Sequence, residues 1–168
     1  MKYLRILICL VLSLCIIFTC GGCVKTEKLN WAMNASLISW DAQVQQTFSL
    51  TISGPIIHKG DETTMEFNIL FSDDTGLEYR LPKTGKYTDQ SMYLGINDYY
   101  IWYASLLDKT SGNSIDAVFA LHVDQQLLMI YQRDVPDPYI VASTDPNVDA
   151  QAILEHFAEF LQLYSFDS

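Results

Sequence analysis

The chain has 168 residues, with ten Lys and Arg against twenty Asp and Glu, a net charge of −10 and a pI near 4.5. A field of that sign repels phosphate backbones and anionic lipid head groups, which excludes nucleic acid as a ligand and a basic patch as a membrane anchor. With 49 % hydrophobic and 12 % aromatic residues, the composition is that of a folded domain and not of an acidic disordered tail.

All four cysteines, Cys9, Cys15, Cys20 and Cys23, fall at the start, and none occurs from Val24 to Ser168. The same stretch opens on Lys2 and Arg5, runs apolar from Ile6 to Phe18 and closes on Thr19-Cys20-Gly21-Gly22-Cys23. A basic start, an apolar segment too short to span a bilayer and a small-residue exit predict an export signal, not a transmembrane helix. Cys20 to Cys23 resembles the lipobox of bacterial lipoproteins. Gly21 and Gly22 supply the small side chains, and Cys20 takes a position that is usually aliphatic, where a thiol is a small apolar substitute. The resemblance implies cleavage after Gly22, acylation of Cys23 and attachment by lipid to the extracytoplasmic face of the cell membrane. Stable attachment needs about two acyl chains, which the glyceride of such lipoproteins provides. Loss of Lys2 and Arg5 with the signal leaves eight Lys and Arg against twenty acids, taking the net charge from −10 to −12.

Three regions follow: a signal peptide over 1–22, a polar lipid-anchored tether over 23–30, and one globular β-rich domain over 31–168. The exported part is long enough to bury about two thirds of its unfolded-chain surface. With no cysteine beyond Cys23, packing alone must stabilise it.

In chain order, residues 31–40 fit either a short helix or a leading strand. Phe48, Leu50 and Ile52 alternate with Ser49, Thr51 and Ser53, and Met65, Phe67, Ile69 and Phe71 alternate with Glu66 and Asn68, so both read as half-buried strands. His58-Lys59-Gly60-Asp61 is turn chemistry and predicts a hairpin between them. Leu77, Tyr79 and Leu81 make a third strand, which Pro82 stops. Met92–Ile96, Tyr99–Leu107, Ile115–Val123, Leu127–Gln132 and Tyr139–Ala142 read as further strands. Short connections between them favour antiparallel pairing. Near the end the period changes. Val148, Ile153, Phe157, Phe160, Leu161 and Tyr164 form one face of a helix opposite Gln151, Glu155, Glu159 and Gln162, with Asp145 as cap and Pro146 in the first turn. The expected fold is α+β, mainly β: an antiparallel meander or partly closed barrel of about seven strands with one C-terminal amphipathic helix. That plan resembles, in architecture, calycin-like barrels and the half-barrel lipid-carrier lipoproteins.

Chemistry is sparse. His58 sits in a turn, His122 at a strand end, and His156 between acids on a face that reads as solvated. No Gly-x-Ser-x-Gly elbow or HExxH occurs. Asp145, Asn147 and Asp149 have the spacing of a calcium loop, but Ala150 stands where Gly is needed and His156 where a closing Glu belongs. No metal or other cofactor is expected. The aromatic run Tyr99-Tyr100-Ile101-Trp102-Tyr103 is bulky on both faces of a strand. Either both faces are covered, or Tyr100 and Trp102 form an exposed aromatic strip for binding. The reading is a non-enzymatic, lipid-anchored domain that binds another envelope component, most simply a protein. The alternatives are a carrier or sensor of a small apolar ligand held in the sheet concavity and, more remotely, a secreted hydrolase.

Overall fold

The computed structural model describes residues 24–59, 62–80, 99–158 and 161–162. Nine strand segments form one antiparallel sheet: β1 (Val24–Ile38), β2 (Val44–Lys59), β3 (Glu62–Met65), β4 (Asn68–Phe71), β5 (Leu77–Arg80), β6 (Tyr99–Asp108), β7 (Ser114–His122), β8 (Leu127–Gln132) and β9 (Tyr139–Ser143). A helix, α1 (Ala150–His156), closes the described chain. The order across the sheet is β3-β2-β1-β9-β8-β7-β6-β5, with β4 also on β2. Because β3 and β4 lie end to end along the same edge of β2, the nine segments fill eight positions.

The sheet cannot be flat. Eight positions at about 4.8 Å per step would put the edge strands about 34 Å apart. Only Ser72–Gly76 joins β4 on one edge to β5 on the other, and six Cα steps span at most about 22 Å. Part of that link is a 3-10 turn over Asp73–Thr75, which shortens it further. The sheet therefore curls into a half-barrel, and Ser72 and Gly76 bind both neighbours. The Ser72 N–H donates to the Ser49 carbonyl at 2.9 Å, and the Lys109 N–H to the Gly76 carbonyl at 2.7 Å.

Alternation then sorts the side chains into two cores. The concave face gathers Met33, Leu50, Ile52, Ile56, Phe67 and Ile69 from one side with Trp102, Leu106, Phe119, Leu121, Leu128 and Ile130 from the other. On the convex face, α1 lays Ala150, Ile153 and Phe157 over Ile101, Ala120, Met129 and Val141. Both faces of β6–β9 are covered over much of their length, which is why these strands are apolar at most positions.

Several details differ from the sequence reading. The expected tether is strand from Val24 onward: residues 24–30 pair with 53–59, since alternating polar residues suit a strand that is wet on one face. Residues 31–38 continue it, so the choice between helix and strand falls to strand. The strand read over 65–71 is broken at Glu66 and Phe67, opposite Gly54 and Pro55. Gly54 has φ of 145°, and a Cβ there would lie 2.0 Å from the Glu66 carbonyl oxygen, so the backbones meet only because this residue has no side chain. The helix begins at Ala150 with Asp149 as its preceding cap residue, not at Asp145 and Pro146. Asp145 instead accepts the Asn147 N–H at 2.9 Å, a local turn that competes with helix. The strand expected over Met92–Ile96, the turn at Gly60 and Asp61, and Phe160 and Tyr164 lie outside the described residues.

Two substitutions test this packing. Phe157 is fully buried beneath α1, so Phe157→Ala should cost about 3–5 kcal/mol in urea denaturation; a cost near zero would place α1 in solvent. Gly54→Ala should cost more than about 2 kcal/mol, because both its φ and the Glu66 carbonyl oppose a Cβ. An unchanged midpoint would mean that the strand break does not depend on glycine.

Candidate functional site

Of the residues singled out from sequence, Cys23 lies outside the described range. Trp102 is 8 % exposed and belongs to the concave core. Its ring stacks on Phe119 (centroids 5.1 Å apart, 17° between planes) and meets Phe67 edge-on at 5.2 Å. The indole N–H donates to the Tyr79 hydroxyl at 3.2 Å, and Tyr79 in turn packs edge-on against Phe119. Tyr100 is half-buried against the same cluster. Of the two alternatives, the covered strand therefore holds for this pair, and the exposed strip is not formed by it. β6 turns Tyr100 and Trp102 inward because its other face, carrying Tyr99 and Ile101, is the one beneath α1.

The exposed aromatics lie one register step past the helix. Across the convex face, Tyr103 pairs with Val118, Val118 with Tyr131, Tyr131 with Tyr139 and Tyr139 with Ile38. Trp40, just beyond Ile38, continues this row: its ring meets Tyr139 at 5.4 Å and Tyr131 at 6.3 Å, both edge-on. Trp40 is 57 % exposed and Tyr103 39 %. α1 packs over the neighbouring row of Ile101, Ala120, Met129 and Val141, and on this row Ile38, Val118 and Tyr139 join the same buried cluster while Tyr103 and Trp40 stay exposed. The turn bearing Trp40 is held by its own hydrogen bonds. The Ser39 N–H donates to the Gln43 carbonyl at 3.0 Å, the Gln43 N–H to the Ser39 hydroxyl at 3.2 Å, and that hydroxyl to Asp41.

On the side away from α1, the row borders Ser105, Asp116 and Arg133. The Ser105 hydroxyl reaches Asp116 at 3.5 Å, and the Arg133 N–H donates to the Asp116 carbonyl at 2.9 Å. Tyr103, Val118, Tyr131 and these three polar residues line an open groove of about 360 Å³. A groove of about 380 Å³ also runs between α1 and the β1–β2 ribbon, past Ser36, Thr47, Ser49 and Val148. Another, of about 220 Å³, sits at one mouth of the half-barrel among Leu37, Phe48, Leu77 and Ile115. Among the described residues, no three His, Cys, Asp or Glu side chains converge to hold a metal ion.

The histidines sit differently from the sequence reading. His122 is 7 % exposed rather than at an open edge, and His156 faces the sheet, not solvent. Their rings lie 5.2 Å apart, with Tyr99 5.0 Å from His122 and 5.8 Å from His156. His122 Nδ1 accepts the Gln125 N–H at 3.3 Å, and the Tyr99 hydroxyl donates to the His156 carbonyl at 3.2 Å. His156 Nε2 is buried without a hydrogen-bond partner among the described residues. His58 lies within β2, paired in register with Lys25.

Burial, and secondarily the positive charge His122 would carry, hold the His156 imidazole below its ordinary range. A histidine depressed in the folded state is protonated first in the unfolded chain. Its contribution is therefore complete above the ordinary imidazole range near 6.5 and is lost as pH falls from there toward the lower folded value. Urea midpoints should thus fall on acidification through this window, and His156→Gln should flatten that part of the profile. A slope unchanged by the substitution would remove His156 as its source.

Comparison with protein-family models, with curated proteins and with solved structures gave no significant match, so function has to be read from the geometry itself.

Proposed function

We propose that this chain is a non-enzymatic, lipid-anchored domain on the extracytoplasmic face of the cell membrane, and that it binds another envelope component through the outer aromatic row. The observation that carries the reading is that row: Tyr103, Tyr131 and Tyr139 share one register line, Trp40 continues it past Ile38, and Tyr103 and Trp40 are exposed. Exposed aromatic rows backed by a rigid sheet are characteristic of binding surfaces. The buried aromatic packing of the concave face among the described residues argues against a carrier that would hold an apolar ligand there. A hydrolase would need convergent polar groups of perturbed acidity in a cleft, and the only lowered acids among the described residues, Glu27 and Asp108, are explained by Lys25 and by the Ser111 and Thr110 hydrogen bonds.

Acylation at Cys23 would put the lipid directly at the end of β1. The aromatic row lies fourteen residues further along that strand, about 45 Å at 3.3 Å per residue. The acidic turns carrying Asp41, Asp73, Asp74, Asp134 and Asp137 are at that far end too, where a negative membrane surface would push them outward.

Two measurements test the reading. Intact-mass spectrometry of the membrane-extracted protein should show an acylated Cys23, and Cys23→Ala should release the chain from membranes; an unmodified wild-type N-terminus would contradict the anchor. A photo-crosslinking residue at position 40 should trap an envelope component in cells, while one at Leu70, equally exposed on the opposite edge, should not. Equal trapping at both positions would remove the aromatic row as the binding face.

A further inference from the structure

We infer that the groove between Tyr103 and Tyr131 is a binding site for a neutral saccharide, an inference that rests on the outer face being the binding face. The two tyrosines stand two strands apart, about 9–10 Å, and flank the small side chain of Val118 on β7. With Val118 itself buried, a ring-sized group would lie across the two tyrosine rings rather than on the strand between them. At about 360 Å³ the groove is within the range of small-ligand sites.

Its chemistry selects among ligands. Ser105, Asp116 and Arg133 along one side offer an acceptor pair, a multiple donor and a group that is both. Hydroxyls of a sugar need donors and acceptors together, and the C–H faces of its ring need apolar or aromatic surface. A purely apolar ligand would leave Asp116 and Arg133 desolvated and unpaired. A charged ligand would be opposed by one of the two, because the carboxylate and guanidinium cancel across the groove. For an anionic polymer there is the further opposition of a domain carrying −12 overall. A flat polypeptide partner would need roughly 800 Å² of contact, and α1 stands beside the row as a step against such a surface. The groove is open and outward-facing, as suits a polymer lying across it, and Trp40 at the far end of the row extends the aromatic surface beyond a single ring.

The experiment uses the full acylated chain in nanodiscs, titrated calorimetrically with a neutral N-acetylglucosamine hexasaccharide, a neutral glucose hexasaccharide and an anionic galacturonate hexasaccharide. At least one neutral oligomer should bind, and the anionic one should not. Tyr131→Ala should weaken binding about tenfold, and the near-isosteric Asp116→Asn, which preserves packing if Tyr131→Ala does not fold, should weaken it by a similar factor. Leu70→Ala should change nothing. No heat with either neutral oligomer, binding that both groove variants leave intact, or equal binding of the anionic oligomer would each overturn the inference. If the sugars fail while a crosslinker at position 40 traps a polypeptide, the ligand class falls and the binding face stands; if both fail, the face itself is wrong.

Discussion

Everything in this structure depends on the shortness of one connection. Ser72–Gly76 joins strands on opposite edges of an eight-position sheet, and five residues cannot reach across it unless it curls. Curling brings Phe67 at the β3–β4 break against Trp102 on β6, and Tyr79 on β5 against Phe119 on β7. Those aromatic contacts pack the concavity, and no cysteine beyond Cys23 is present to crosslink it. They also decide where function can lie. With the inside packed among the described residues, the surfaces these leave for recognition are the outer face and the rims.

The outer face is shaped by an equally simple mismatch. β6–β9 present more than one outward row, and among the described residues α1 packs over only part of them. Below α1 the row ending in Tyr99 and His122 is sealed by His156 and Phe157. Beyond its edge, Tyr103, Tyr131 and Trp40 keep access to solvent. The polar line of Ser105, Asp116 and Arg133 then gives that aromatic shelf a second chemical character, and the combination narrows the ligand more than either part does alone.

Much of the fold was legible in the residues. The apolar runs located β6, β7, β8 and β9 nearly to the residue, alternation from Phe48 to Ser53 marked the middle of β2, and the three- and four-residue steps of Ile153 and Phe157 located the helix and its buried face. Short connections implied antiparallel order, and a partly closed barrel followed. What sequence did not carry was long-range. Alternation at Tyr100 and Trp102 shows that neighbouring residues face opposite ways, but not which face the helix will cover or where it ends, so the inward pair drew attention and the outward Tyr103 did not. Tyr131 and Trp40 were hidden for the same reason, since their meeting depends on β8, β9 and the β1–β2 turn coming together across about ninety residues of chain. Residues 24–30 misled differently: a short polar segment after a signal reads as a tether, and only its pairing with β2 makes it strand. Asp145 and Pro146 carry the marks of a helix start, yet the Asn147 amide takes the Asp145 carboxylate into a turn first.

The central claim is that the half-barrel interior is a closed core rather than a ligand chamber, and Trp102 reports on it directly. With Trp31 and Trp40 changed to Phe, Trp102 is the one tryptophan left of three. Its emission should be blue-shifted, resistant to acrylamide and unchanged by long-chain fatty acids, because Phe67, Phe119 and Tyr79 enclose it. Red-shifted, readily quenched emission, or a shift on adding fatty acid, would mean that the interior opens to ligands and would contradict the account.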